Sequence, residues 1–118
     1  MFSCVSTHHQ QTPLDVCKFD ENATFPVLVL SELALFNLYP VKQIVFQPGE
    51  WKGVHFGIRF MADFELTGQV IPAIDNLKVC NGLSVVDQVV NVTDHYFSVV
   101  FQNTGKGRLT LNSNEHIC

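Results

Sequence analysis

Asp87, Asp94 and Glu115 are the acids whose placement in the C-terminal half would let three carboxylates converge. A converged set could orient an attacking water or hold a divalent cation, whereas the same acids left apart are solvated surface charges, the commoner outcome. His8, His9, His55, His95 and His116 are too scattered to match a metal-ligand spacing, so no metal and no other cofactor is expected. Cys4, Cys17, Cys80 and Cys118 form no CxxC pair. The opening residues MFSCVSTHHQQ lack the basic start and continuous apolar centre of a secretory signal. Reduced thiols in an intracellular protein, cytoplasmic or nuclear, are therefore expected. The triplets Asn22-Ala23-Thr24 and Asn91-Val92-Thr93 fit the glycosylation sequon, which would matter only in the secretory pathway. Trp51, after Pro48-Gly49-Glu50, is a candidate anchor for a protein partner, or equally an aromatic cap on the core.

The elements that must position these groups fit one domain. The chain has 118 residues, 47% of them apolar and 15% charged, enough for one core and too few for two. A net charge of −4 with no Lys/Arg cluster excludes the concentrated positive charge that nucleic acid or anionic lipid requires, so neither is expected as a partner. The longest apolar run, PVLVLSELALFNLYPV, is interrupted by Glu32 and Asn37 and falls short of the roughly 20 residues of a membrane-spanning helix.

Residues 1–25 show no sustained period and are read as an irregular N-terminal arm outside the core, with residues 26–118 forming a β domain. Val54, Phe56, Ile58 and Phe60 alternate with His55, Gly57 and Arg59, the period of a half-buried strand. Gln43 to Gln47 is a second strand, closed by the Pro48-Gly49 turn. Tyr96 to Gln102 alternates again and leads through Asn103-Thr104-Gly105-Lys106-Gly107, a hairpin turn, into Arg108 to Asn112, with Leu109 and Leu111 facing the core. Leu83 to Val90 suits a strand that bends at Asp87-Gln88. Phe56, Phe60, Phe97 and Phe101 are core candidates. The one rival helix is Ser31 to Leu38, at most two turns, with Ser31 as cap and Glu32 favouring its dipole. The class is all-β, a distorted jelly roll or β-sandwich.

Four segments together resemble the motifs of the dUTPase family. Asn37-Leu38-Tyr39-Pro40 followed by IVFQPGEWKGVHFGI resembles the first motif, an Asp-Leu pair entering a strand, a proline-glycine turn and a closing Gly-Ile step. Gly68, Val70, Pro72 and Leu77 match the frame of Gly-x-Val-x-Pro-Arg-Ser-Gly-Leu with one residue inserted near Asp75-Asn76, and Ala73 and Ile74 stand where the phosphate-contacting Arg and Ser belong. In the third motif the water-orienting Asp corresponds to Asn91, with Asp94 adjacent under a gapped alignment and Tyr96 close behind. Asn103 and Asn114-Glu115-His116-Ile117-Cys118 resemble the fourth. The family's glycine-rich C-terminal arm has no counterpart after Cys118. The similarity covers about Leu30 to Cys118.

The resemblance implies a trimer with sites between subunits, while the substituted residues imply lost chemistry. A neutral amide at Asn91 cannot serve as a general base, a role worth about 10²–10⁴-fold. Alanine and isoleucine offer phosphate neither charge nor hydroxyl. The expectation is a non-catalytic dUTPase-like protein, viral or retroelement-derived, acting as a homotrimer in protein interaction or assembly, with a protein partner. Two alternatives stand beside it. One is a divergent nucleotidohydrolase using Asp94 or Asp87 as base with Glu115 helping to bind metal, and the other is a structural jelly-roll protein of a virion.

Overall fold

A computed structural model describes residues 3–6 by their backbone and residues 15–30 and 34–118 in full. Twelve strands and one short helix run through these residues. They are β1 (Ser3–Ser6), β2 (Asp15–Lys18), β3 (Val27–Leu30), β4 (Leu35–Asn37), β5 (Ile44–Phe46), β6 (Trp51–His55), β7 (Ile58–Met61) and β8 (Thr67–Gln69). After these come α1 (Leu77–Gly82), β9 (Leu83–Val85), β10 (Val89–Asn91), β11 (Ser98–Asn103) and β12 (Leu109–Leu111). The strands make small sheets in the orders β1-β2-β7, β10-β8, β6-β11-β9, β12-β5 and β3-β4. The pairings are antiparallel, from β11 with β6 to β12 with β5. This is an all-β jelly roll.

Its sheets share one core. Val16, Phe46, Val54, Phe56, Ile58, Val99, Phe101, Leu111 and Ile117 are buried together. Each buried Phe or Ile contributes about 1.5–3 kcal/mol relative to exposure. The period-two set Val54, Phe56, Ile58 and Phe60 is buried throughout, yet the segment is two strands. Gly57, at φ +67°, breaks it, and a Cβ there would stand 2.8 Å from the Ala23 Cβ and 3.0 Å from the Val41 Cγ2. The Gly57 carbonyl accepts from the Phe19 N–H at 3.0 Å, so the break also anchors the chain entering from β2. All four expected core phenylalanines, Phe56, Phe60, Phe97 and Phe101, are buried.

The Pro48-Gly49 turn forms as its residues dictate, with Gly49 at φ +78° and the Glu50 N–H donating to the Gln47 carbonyl at 3.0 Å. Asn103 is the buried polar residue of the core. Its Nδ2 donates to the carbonyls of Phe46 (3.2 Å) and Gly107 (2.9 Å), and its Oδ1 accepts from the Gly105 N–H at 2.9 Å. One side chain thus ties the β11–β12 turn to β5 and satisfies groups that burial would otherwise penalise.

Five expectations change. Residues 15–18 are not part of an irregular arm outside the core, because β2 pairs with β7 and Val16 is fully buried. Asn103 to Gly107 is not a hairpin turn, because β11 pairs with β6 and β9 while β12 pairs with β5. Leu83 to Val90 is two strands, β9 and β10, which pair with different neighbours, β11 and β8. The helical reading of Ser31 to Leu38 fails at Leu35–Asn37, which is β4; residues 31–33 lie outside the described residues. The helix forms instead at α1, where the Asn76 Oδ1 caps the Lys78 N–H at 3.1 Å. The thiols are not all reduced, since Cys17 is disulfide-bonded. The strand register sets Cys4 opposite Cys17. Among the described residues no helix is long and apolar enough to cross a membrane.

Candidate functional site

Three segments distant in sequence meet where the chain's last residues enter the fold. The Ile117 N–H donates to the Leu38 carbonyl (3.1 Å), the Leu38 N–H to the Cys118 carbonyl (2.8 Å), and the Ala73 N–H to the Ile117 carbonyl (3.1 Å). Residues 117–118 therefore run between Asn37-Leu38 and Ala73-Ile74 and hold them together. Ile117 is drawn in by the core, and this burial fixes the path of the segment.

Burial also sets the chemistry of Cys118. Loss of solvation pushes its thiol up to about 12.

Beside this junction lies a polar cluster built on the α1 cap. Asn76 donates through Nδ2 to the Glu115 Oε2 (3.3 Å) and the His116 carbonyl (3.1 Å) while its Oδ1 caps the helix. The Glu115 Oε1 receives the Lys78 ammonium at 2.8 Å, the Asn112 N–H at 3.1 Å and the Asn112 side chain at 3.1 Å. Burial raises the Glu115 pKa, but the hydrogen bonds from Lys78, Asn112 and Asn76 together with the Lys78 charge outweigh it and hold the carboxyl below its usual range. The His116 Nε2 lies 2.8 Å from the Asp75 Oδ1, and the imidazole packs edge-on against Tyr39 with centroids 5.9 Å apart. Lys78 and His116 thus each face a carboxylate. Ala73, three residues before Asn76 in the chain, is buried, and Ile74 is 81% exposed.

Asn91 ends β10 on a separate ribbon, paired with Thr67 of β8. Its Oδ1 accepts from the Thr93 N–H (3.0 Å) and hydroxyl (2.6 Å), a local turn that occupies the amide. Asp94 is exposed, its Oδ1 3.4 Å from the Tyr96 N–H, and Asp87 is exposed between β9 and β10. Asp87, Asp94 and Glu115 do not gather, and among the described residues no group of three or more His, Cys, Asp or Glu side chains is placed to hold a metal ion. Trp51 is exposed on β6.

No protein-family model and no curated protein matches the chain. Solved structures of phage dUTPases do. A mutant of the dUTPase of Staphylococcus phage 80alpha is 12% identical with a TM-score of 0.71, covering 88% of this chain and 78% of that one. A mutant dUTPase of phage phi11 of S. aureus is 13% identical with a TM-score of 0.69, covering 88% and 85%. The 80alpha dUTPase itself gives 0.70 at 12% identity, covering 88% and 84%. The fold is dUTPase-like.

In this dUTPase-like frame the segments holding Asn37, Ala73-Ile74 and Glu115-His116 meet through Leu38 and Ile117. Asn91 lies on the β8–β10 ribbon, where the third segment pairs with the start of the second, Val90 opposite Gly68. Sequence reasoning missed Lys78 and the pairing of Asp75 with His116. The available signal was Asn76 two residues before Lys78, a cap that would have placed both side chains at the start of a helix.

Proposed function

We propose that this chain is a catalytically silent dUTPase-like domain, retained as a homotrimeric protein-interaction or assembly module of viral or retroelement origin. The observation that carries this reading is the pairing of Lys78 with Glu115 and of His116 with Asp75, each at 2.8 Å, beside Ala73 and Ile74. A triphosphate is held by cations and donors turned toward it. Here the Lys78 ammonium is already opposed by the Glu115 carboxylate and the His116 ring nitrogen already faces that of Asp75, and an incoming phosphate would have to approach both acids against like charge. Ala73 is apolar and buried, Ile74 apolar and exposed, so neither provides a replacement. The amide of Asn91 has no basic lone pair to accept a proton at neutral pH and is engaged by Thr93.

A fold whose sites lie between subunits keeps a self-complementary surface after its chemistry is lost. The 80alpha dUTPase is described as controlling transfer of virulence genes by a proto-oncogenic G protein-like mechanism, which supports a role for this fold beyond hydrolysis. Exposed Trp51 is the candidate anchor for the partner. The assembly half of the reading is tested by light scattering on purified protein. The expected mass is about three times the 13.3 kDa of the chain; a monomer at every concentration, or a large shell, counts against it.

A further inference from the structure

The β2–β7 ribbon carries a groove with an aromatic wall and an exposed lysine at one end and an acidic, aromatic loop at the other. The groove is a cleft of about 730 Å³ reaching from Gly57 to β5 and β6. Phe19 and Tyr96, packed edge to face with centroids 5.0 Å apart, make an aromatic wall. Lys42 and Lys52 line it together with Asp20, and the Lys52 Nζ lies 3.7 Å from the Glu50 carboxylate. Lys52 spans from β6 to β5 by donating to the Val45 carbonyl at 2.6 Å, whereas Lys42 is exposed and makes no hydrogen bond or ion pair among the described residues.

The loop after β7 is Ala62-Asp63-Phe64-Glu65, exposed at all four positions. Phe64 is 69% exposed, and neither flanking carboxylate has a hydrogen bond or ion pair among the described residues. An exposed phenyl ring flanked by unpaired acids matches a cleft with an aromatic wall and the unpaired ammonium of Lys42, in charge and in apolar content. The loop cannot reach the groove of its own chain. Gly57 lines the groove and β7 leads away from it, which places Asp63 roughly 20 Å distant at about 3.3 Å per strand residue.

We propose that Asp63-Phe64-Glu65 of one protomer seats in the groove of a second copy of this chain, Phe64 against Phe19 and Tyr96 and Glu65 beside Lys42. Donor and acceptor surfaces differ, so the contact is head-to-tail and closes as a ring when the rotation permits. The inference rests on the assembly reading above and names its interface.

The test is light scattering with dilution on the wild-type chain, Phe64→Ala, Lys42→Glu, Glu65→Lys and the double variant Lys42→Glu/Glu65→Lys, each checked for wild-type thermal unfolding of the subunit at one low concentration. The single variants are expected to require at least ~10-fold more protein to assemble, the loss typical of a removed anchor. The double variant is expected to recover at least part of that loss, and the wild type to assemble less at high salt. If the wild type assembles and Phe64→Ala assembles equally well, or if the two charge reversals simply add, this interface is wrong while the assembly reading stands. A wild type that is monomeric throughout overturns both.

Discussion

The Lys78 ammonium and the Glu115 carboxylate, 37 residues apart in sequence, meet at 2.8 Å on the cap of α1. Through Asn76 and Asn112 the same carboxylate also fixes the segment that leads into Ile117. Replacing Glu115 by Ala leaves Lys78 and the Asn112 N–H without their acceptor. A loss of about 1–3 kcal/mol is expected, measured by urea unfolding at neutral pH. Lys78→Ala, which removes only an exposed partner, should cost about 1 kcal/mol or less.

The same carboxylate gives stability a pH dependence. Its folded pKa lies below the ordinary glutamate value of 4.5, so its contribution is complete above about that pH and is lost as the pH falls toward the folded value. Urea midpoints of the wild type and Glu115→Gln should therefore converge on acidification below 4.5. A gap that stays constant from pH 7 to pH 3 would show that the ionised carboxylate is not what stabilises the cap.

Asn103 is expected to be the most sensitive polar position of the core. Asn103→Ala strands the Phe46 and Gly107 carbonyls and the Gly105 N–H, for a cost of about 2–4 kcal/mol in the same unfolding measurement. Asn103→Asp keeps the acceptor but loses the donor and buries a charge, and should be no milder.

Thiol labelling should separate the cysteines. Cys80 is exposed and should react with a thiol reagent in the native state. Cys118, half-buried and with its thiol pushed up to about 12, should label much more slowly than Cys80 in the native state. Cys17 should label only after reduction. Peptide mapping after alkylation with and without reductant distinguishes the three.

Much of the fold was legible because it is local. The alternation of Val54 to Phe60 and the Pro48-Gly49 turn each follow from side-chain period or backbone permissiveness within a few residues, whereas the hairpin expected at Asn103 to Gly107 does not form, because the partners of β11 and β12 are distant strands. The break at Gly57 was not legible, because the atoms that crowd it belong to Ala23, Asp20 and Val41. Nor was the place of β2, whose short run Asp-Val-Cys-Lys becomes core only through pairing with β7. The site divides the same way. At Ala73, Ile74 and Asn91 the sequence shows by residue type alone two apolar side chains and an amide, whereas the contacts at the α1 cap join residues 37 and 41 apart and depend on the route of the final segment. Asn91 kept a role that the sequence did hint at, since Asn-x-Thr is also the pattern of a side-chain turn.

Release of pyrophosphate from dUTP with Mg²⁺ by the purified wild-type chain tests the central claim most directly. The expected rate equals that of buffer and is unchanged in Asp94→Ala and Asp87→Ala. Turnover above buffer that scales with protein and disappears in Asp94→Ala would contradict a silent site and establish this chain as an enzyme.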